Sequence, residues 1–138
     1  MLSLTIPGNP IAKARPRWAK WGLYSPKKTV NYETQIKERF ASEYPGFTPI
    51  DGPIRLEIRA HMMIPSSMSQ KKRLLMSEGK IRPDKRPDID NLIKAGMDAL
   101  QGLAFRDDKQ VVELEAAKFY TLHPRLEINI IKINEGDV

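Results

Sequence analysis

The 138-residue sequence contains no cysteine, which removes disulfides, thiolate metal sites and cysteine nucleophiles from consideration together. Any metal must therefore be held by oxygen or imidazole. Only two histidines occur, His61 and His123, and neither sits in a ligand pattern, so a structural or surface role is expected for both. No apolar run approaches the roughly 18 residues of a membrane span. The opening "MLSLTIPGNP" lacks the basic start and long apolar stretch of a targeting segment, so a cytoplasmic protein without membrane contact is expected. A glycine-rich phosphate loop and a serine-histidine-acid arrangement are missing as well, and no nucleotide cofactor is expected. What is present is an ordinary globular composition, 41% hydrophobic and 29% charged, in a chain that suits one domain spanning residues 1–138 with a real core.

Charge is unevenly distributed. Lysine and arginine number 23 against 17 aspartate and glutamate, yet residues 1–87 carry a net +10 and residues 88–108 a net −3. A basic chain enclosing one acidic island suits a polyanionic partner with a cation at the centre of the site.

The periodicities outline an α+β domain, a small mixed β-sheet with helices packed on it. "LSLTIPG" alternates Leu2, Leu4 and Ile6 and is ended by Pro7 and Gly8, a half-buried strand. Residues 10–28 form a basic arm or hairpin with Trp18, Trp21 and Tyr24 interleaved. "TVNYETQIKERFASEY" predicts a helix with Val30, Ile36 and Phe40 on one face and Thr29 or Asn31 as cap. "GPIRLEIRAHMMIP" predicts a strand with one wet face. A short basic helix ending at Gly79 follows, and then "PDIDNLIKAGMDALQG", whose Ile89, Leu92, Ile93, Gly96, Ala99, Leu100 and Leu103 define a buried helical face. "QVVELEAAKFYTLHPRLEINIIKI" gives two strands around a Leu122 to Pro124 turn. Met62, Met63, Met68 and Met76 read as core filling.

The acidic island carries the chemistry. Asp88 stands where the last helix begins, Asp90 lies in its first turn, and Lys94 is one turn beyond Asp90 on the same edge. Asp107 and Asp108 follow the helix, and a strand running back beside it returns one or the other to Asp88 and Asp90. Each feature has a plainer explanation: an N-cap, an i,i+4 ion pair, a solvated turn. Jointly they suit a hard divalent cation, Mg²⁺ or Mn²⁺, which carboxylates bind while leaving it several waters, with the Lys94 ammonium available to a phosphate oxygen.

"RPDIDNLIKAGMDALQG" followed by "RDDKQVVEL", together with "IPGNPIAKARPR", "YSPKKTVNYE" and "GKIRPDKRPDIDN", resembles the RusA family of Holliday junction resolvases, small phage and prophage endonucleases, in the versions seen in Gram-positive bacteria. The resemblance runs from about Thr5 to about Ile133 and places the core motif at residues 86–114. It implies a RusA-like fold and a Mg²⁺-dependent homodimer that makes paired symmetric nicks in four-way DNA junctions during recombination and repair. It also implies essential acids at Asp88, Asp90 and Asp108, with Asp107 beside the last, and an essential lysine at Lys94. The sequence departs from the enterobacterial pattern at Pro87, which displaces Arg86 by one position from Asp88.

Phosphate contacts are expected from Lys13, Arg15, Arg17, Lys20, Lys27 and Lys28 in the arm. A second basic set, Lys71, Lys72, Arg73, Lys80, Arg82, Lys85 and Arg86, precedes the acidic island. Trp18 and Trp21 suit either base stacking or anchoring in a core or dimer interface. The expectation is a metal-dependent, structure-selective DNA endonuclease. Its rivals are a non-catalytic branched-DNA-binding protein and a phosphoesterase acting on a small nucleotide.

Overall fold

The computed structural model describes residues 1–134; the end of the expected 1–138 domain, residues 135–138, lies outside the described residues. Six strands and three helices follow in the order β1 (Leu2–Pro7), β2 (Arg17–Ala19), β3 (Gly22–Tyr24), α1 (Lys27–Glu43), β4 (Ile54–Met63), α2 (Gln70–Ser77), α3 (Ile89–Leu100), β5 (Val111–Thr121) and β6 (Arg125–Lys132). The architecture is α+β with a mixed sheet, as the alternation predicted. Strand order is β1-β6-β4-β5, while β2 and β3 form a separate two-stranded hairpin. β4 pairs with β5 in parallel and with β6 antiparallel. The parallel pair is possible because α2 and α3 lie between the two strands and supply the long crossover that such pairing needs. β5 and β6 are therefore consecutive in the chain but not neighbours, since β4 separates them.

One sheet face is apolar. Leu4, Ile6, Leu56, Ile58, Ala60, Leu126, Ile128 and Ile130 meet Tyr32, Ile36 and Phe40 of α1 and Leu92, Ala95, Ala99 and Leu100 of α3 in a single core cluster. α3 sits close on the sheet at Gly96, where a Cβ would stand 3.3 Å from Ile58 Cδ1. The other face is wet, as predicted, and laced with ion pairs: Arg55 bonds Glu115 at 2.5 Å and Arg59 lies 3.7 Å from the same carboxylate. Those arginines are thus engaged within the sheet.

Several local expectations are corrected. α1 begins at Lys27 after Pro26, so neither Thr29 nor Asn31 caps it. Its buried residues are Thr29, Tyr32, Ile36 and Phe40, with Val30 exposed, because Val30 and Ile36, six residues apart, stand on different sides of the helix. On α3 the buried set includes Ala95, whereas Ile89 is exposed. Met62 and Met76 fill the core as expected, but Met63, alternating outward on β4, is exposed. No helix among the described residues is long and apolar enough to cross a membrane.

Candidate active site

The N-terminal turn of α3 presents the first two carboxylates. Asp88 occupies the N-cap position, but its side chain makes no capping hydrogen bond. The plain capping explanation for this aspartate is therefore not realised. Asp88 and Asp90 are exposed and line a groove whose opposite wall is Ala116, Ala117 and Lys118 of β5. Asp88 also borders a second groove, under the arm, with Asn91, Arg15 and Arg86. The Arg86–Pro87 peptide bond that precedes it is cis.

The turn after α3 treats its two aspartates differently. Asp107 caps a short 3-10 turn, Asp108–Gln110: its carboxylate accepts from Lys109 N at 2.9 Å, and Gln110 Oε1 accepts in return from Asp107 N at 2.9 Å. Gln110 extends this bracing, since its Nε2 donates to the carbonyls of Ile50 at 2.7 Å and Gly52 at 2.9 Å. Asp108 is instead held by its backbone, its N–H donating to Gln101 Oε1 at the end of α3. Its Oδ1 is shielded from solvent and has no hydrogen-bond partner. Partial desolvation pushes the Asp108 carboxyl above the ordinary carboxylate range, and the charges of Asp98 and Asp107 push in the same direction.

Asp108 shares a groove with Asn91, Lys94, Met97 and Asp98 of α3, roofed by residues 13–16 of the arm. The arm is fastened over this groove. Lys13 N donates to Asn91 O at 2.9 Å, and Ala14 N donates to Thr29 Oγ1 at 3.1 Å. The Lys13 ammonium then bridges the two helices, 2.6 Å from Glu33 on α1 and 3.2 Å from Asp98 on α3. Burial works against charge on Lys13, but the bonds to Glu33 and Asp98 outweigh it and raise its pKa. The 10–28 arm is thus three things: a strap pinned across α1 and α3, the β2–β3 hairpin, and the first turn of α1.

The grooves meet along one edge of α3, but the four expected acids do not form a cage. Among the described residues no three carboxylate or imidazole groups stand together as metal ligands. Asp90 faces β5, Lys94 and Asp108 face the strap, and Asp88 borders both sides. Asp90 and Lys94 form no ion pair among the described residues. The donor chemistry still fits a magnesium-sized ion, which takes one or two carboxylates together with waters and substrate phosphates rather than an all-protein cage. The shielded, unpartnered Asp108 Oδ1 is the atom such an ion would satisfy.

The basic residues divide as well. Arg15, Arg17, Lys20, Lys27, Lys28, Lys71, Lys72, Lys85 and Arg86 are exposed. Lys13 is engaged as described, and Lys80 lies 3.1 Å from Glu78. Arg82 donates to Lys118 O at 2.7 Å and lies 3.9 Å over the Phe119 ring. Arg73 is half-buried on α2, with a shielded Nε that has no partner. Trp18 and Trp21 are 82% and 75% exposed on the hairpin, which overturns a core role for either. Sequence reasoning missed Asn91, Gln101, Gln110 and Lys118, polar residues whose spacing carries no signal, and gave Asp98 no role.

A family profile described as "Endodeoxyribonuclease RusA" matches residues 7–131. An uncharacterised protein of Bacillus subtilis, YqaN, is 34% identical over 139 residues, which is 96% of this chain and 97% of the relative.

Proposed function

The chain belongs to the RusA endodeoxyribonuclease family, and on that premise we propose that it resolves Holliday junctions by Mg²⁺-dependent, structure-selective cleavage. The observation that carries the reading is the shielded Asp108 Oδ1, without a partner, in a groove shared with Lys94 and roofed by a basic strap. A carboxylate left in that state costs stability. Such a cost is expected where an ion and a phosphate complete the site.

In this reading Asp108 would hold the ion, with Mn²⁺ able to substitute, Asp88 and Asp90 would add negative charge from the adjoining groove, and Asp107 fixes the turn that presents Asp108. Such an ion would supply neutralisation of charge on the scissile phosphate and a lowered pKa for water bound to it. Lys94 meets a non-bridging phosphate oxygen and stabilises the charge that grows there. Asn91 and the strap close the groove on one side and limit access by bulk water. Arg15, Arg17, Lys20, Lys27, Lys28, Lys85 and Arg86 contact the flanking phosphates, and Lys71 and Lys72 extend that path. Trp18 and Trp21 stack on bases opened at the junction centre. Two symmetric incisions on a two-fold junction call for two symmetric sites, hence a homodimer.

The test is cleavage of a synthetic four-way junction with Mg²⁺ by the native chain, Asp90→Asn and Lys94→Ala. Both variants should lose cutting, with junction binding by Asp90→Asn intact or tighter because a negative charge facing DNA is gone. Equal rates for all three end the proposal. Salt-sensitive junction binding without metal-dependent scission would identify a branched-DNA-binding protein instead. Cleavage of small nucleotide esters that survives Arg17→Gln with Lys20→Gln would identify a phosphoesterase. Deleting residues 10–28 would not serve, because it would also remove the Lys13 strap across α1 and α3.

A further inference from the structure

Lys118 occupies a place where the sheet pattern calls for an apolar side chain. Across the parallel ladder it is registered with Ala60, as Ala116 is with Ile58 and Leu114 with Leu56. Residues opposite one another share a face, so Lys118 stands on the helix side of β5. There its Nζ donates to the carbonyls of Lys85 at 2.7 Å and Pro87 at 2.9 Å. Its own carbonyl accepts from Arg82 Nε at 2.7 Å, and Phe119, the next residue, carries the Arg82 guanidinium over its ring. Both ends of the 82–88 segment are therefore fastened to the same short stretch of β5.

That segment delivers Asp88 to the start of α3. The groove lined by Asp88 and Asp90 has Lys118 in its wall. An ammonium donates up to three hydrogen bonds and takes a carboxylate where it can, yet this one is held by backbone carbonyls. Among the described residues it forms no ion pair. Pro87 has no N–H and cannot anchor its own backbone by donation, so its carbonyl is the handle available at this point of the chain.

We propose that Lys118 is the positioning residue of the site: by gripping the carbonyls of Lys85 and Pro87 it fixes the stance of the Asp88 and Asp90 carboxylates against β5. The inference deepens the nuclease reading and rests on it for its consequence in catalysis.

The chain has no cysteine, so Lys118→Cys creates a unique thiol whose alkylation with 2-bromoethylamine restores an ammonium of nearly native length. Two readouts are needed. Amide hydrogen exchange of residues 92–95, the first protected turn of α3, which Leu92 N opens by donating to Asp88 O at 3.2 Å, reports the stance of the segment without reference to cutting, and single-turnover cleavage of a four-way junction reports its use. Lys118→Cys should bind the junction within about twofold of native but cut at least ~10-fold more slowly, since a misplacement near 1 Å costs up to about 10²-fold. Exchange at 92–95 should rise, aminoethylation should reverse both effects, and iodoacetamide should reverse neither.

Native cutting and exchange in Lys118→Cys would overturn the inference. So would altered exchange with unaltered cutting, or losses that aminoethylation leaves in place. If Lys118→Cys does not fold, Lys118→Arg and Lys118→Gln decide: cutting kept by arginine and lost with glutamine supports it, and equal rates overturn it. If the native chain cuts no junction, the nuclease reading fails, while the exchange readout still judges the grip of Lys118 on the segment.

Discussion

Asp107 and Asp108 are adjacent in the chain and opposite in circumstance: the carboxylate of one accepts a hydrogen bond from Lys109 N at 2.9 Å, while Oδ1 of the other is shielded from water and bonded to nothing. The backbone turn makes the difference. Asp107 sits in extended backbone as the cap of the 3-10 turn, so its side chain curls back over its own loop, and Asp108 is left facing α3.

The two should therefore respond differently to substitution. Asp108→Asn is expected to reduce junction cutting by about 10²-fold or more, the scale on which removing one charge-stabilising group acts. Asp107→Asn, which keeps a capping oxygen, should cut near the native rate. Asp107→Ala should destabilise the turn by about 1 kcal/mol and slow cutting indirectly. Cleavage rates measured beside chemical unfolding separate the cases, and a loss with Asp107→Asn equal to that with Asp108→Asn would contradict this division.

The raised Asp108 carboxyl has a sign that can be read in stability. A group better protonated in the folded chain opposes folding once it ionises. This opposition is absent below the ordinary carboxyl value of 3.8, sets in as pH rises towards the elevated folded value, and is complete above it. Asp108→Asn should consequently have a higher Tm than native at neutral pH, an advantage that vanishes below the ordinary carboxyl value. Added Mg²⁺ should raise the Tm of the native chain more than that of the variant. Thermal scans across pH, with and without the ion, check both statements.

The strap depends on the bridge from Lys13 to Glu33 and Asp98. Lys13→Met should cost about 1 kcal/mol, because these partners are partly rather than fully withdrawn from solvent. Exchange of the Ala14 amide, which donates to Thr29 Oγ1, should rise more than exchange in β4. Uniform exchange throughout the chain would place the loss elsewhere.

Both tryptophans of the chain lie on the hairpin, so tryptophan emission, excited selectively over tyrosine, reports that element alone. Emission of the folded protein should resemble that of a solvated indole and shift little on unfolding. A four-way junction should quench it more strongly than a linear duplex of equal length, as stacking on unpaired bases requires. Equal quenching by both would remove the hairpin from junction recognition.

Much of this was legible in the primary structure. Alternation marked the strands, the 3.6-residue period marked α3, and the uneven charge marked an acidic island in a basic chain. Those signals are local, because side-chain direction along one element follows from its own backbone geometry. Pairing is not local. Nothing in the residues of β5 and β6 says that β4 will lie between them, or that a lysine on β5 will hold the loop before α3. The positions of the carboxylates were likewise settled in three dimensions. Sequence placed Asp88 and Asp90 at one end of the helix and Asp107 and Asp108 beyond the other, but the sheet and strap, packed against different sides of α3, turned Asp90 towards β5 and Asp108 towards the strap and left Asp88 between them. A chain dictates which residues can share a helix edge, whereas what each edge faces depends on neighbours that arrive from far along the sequence.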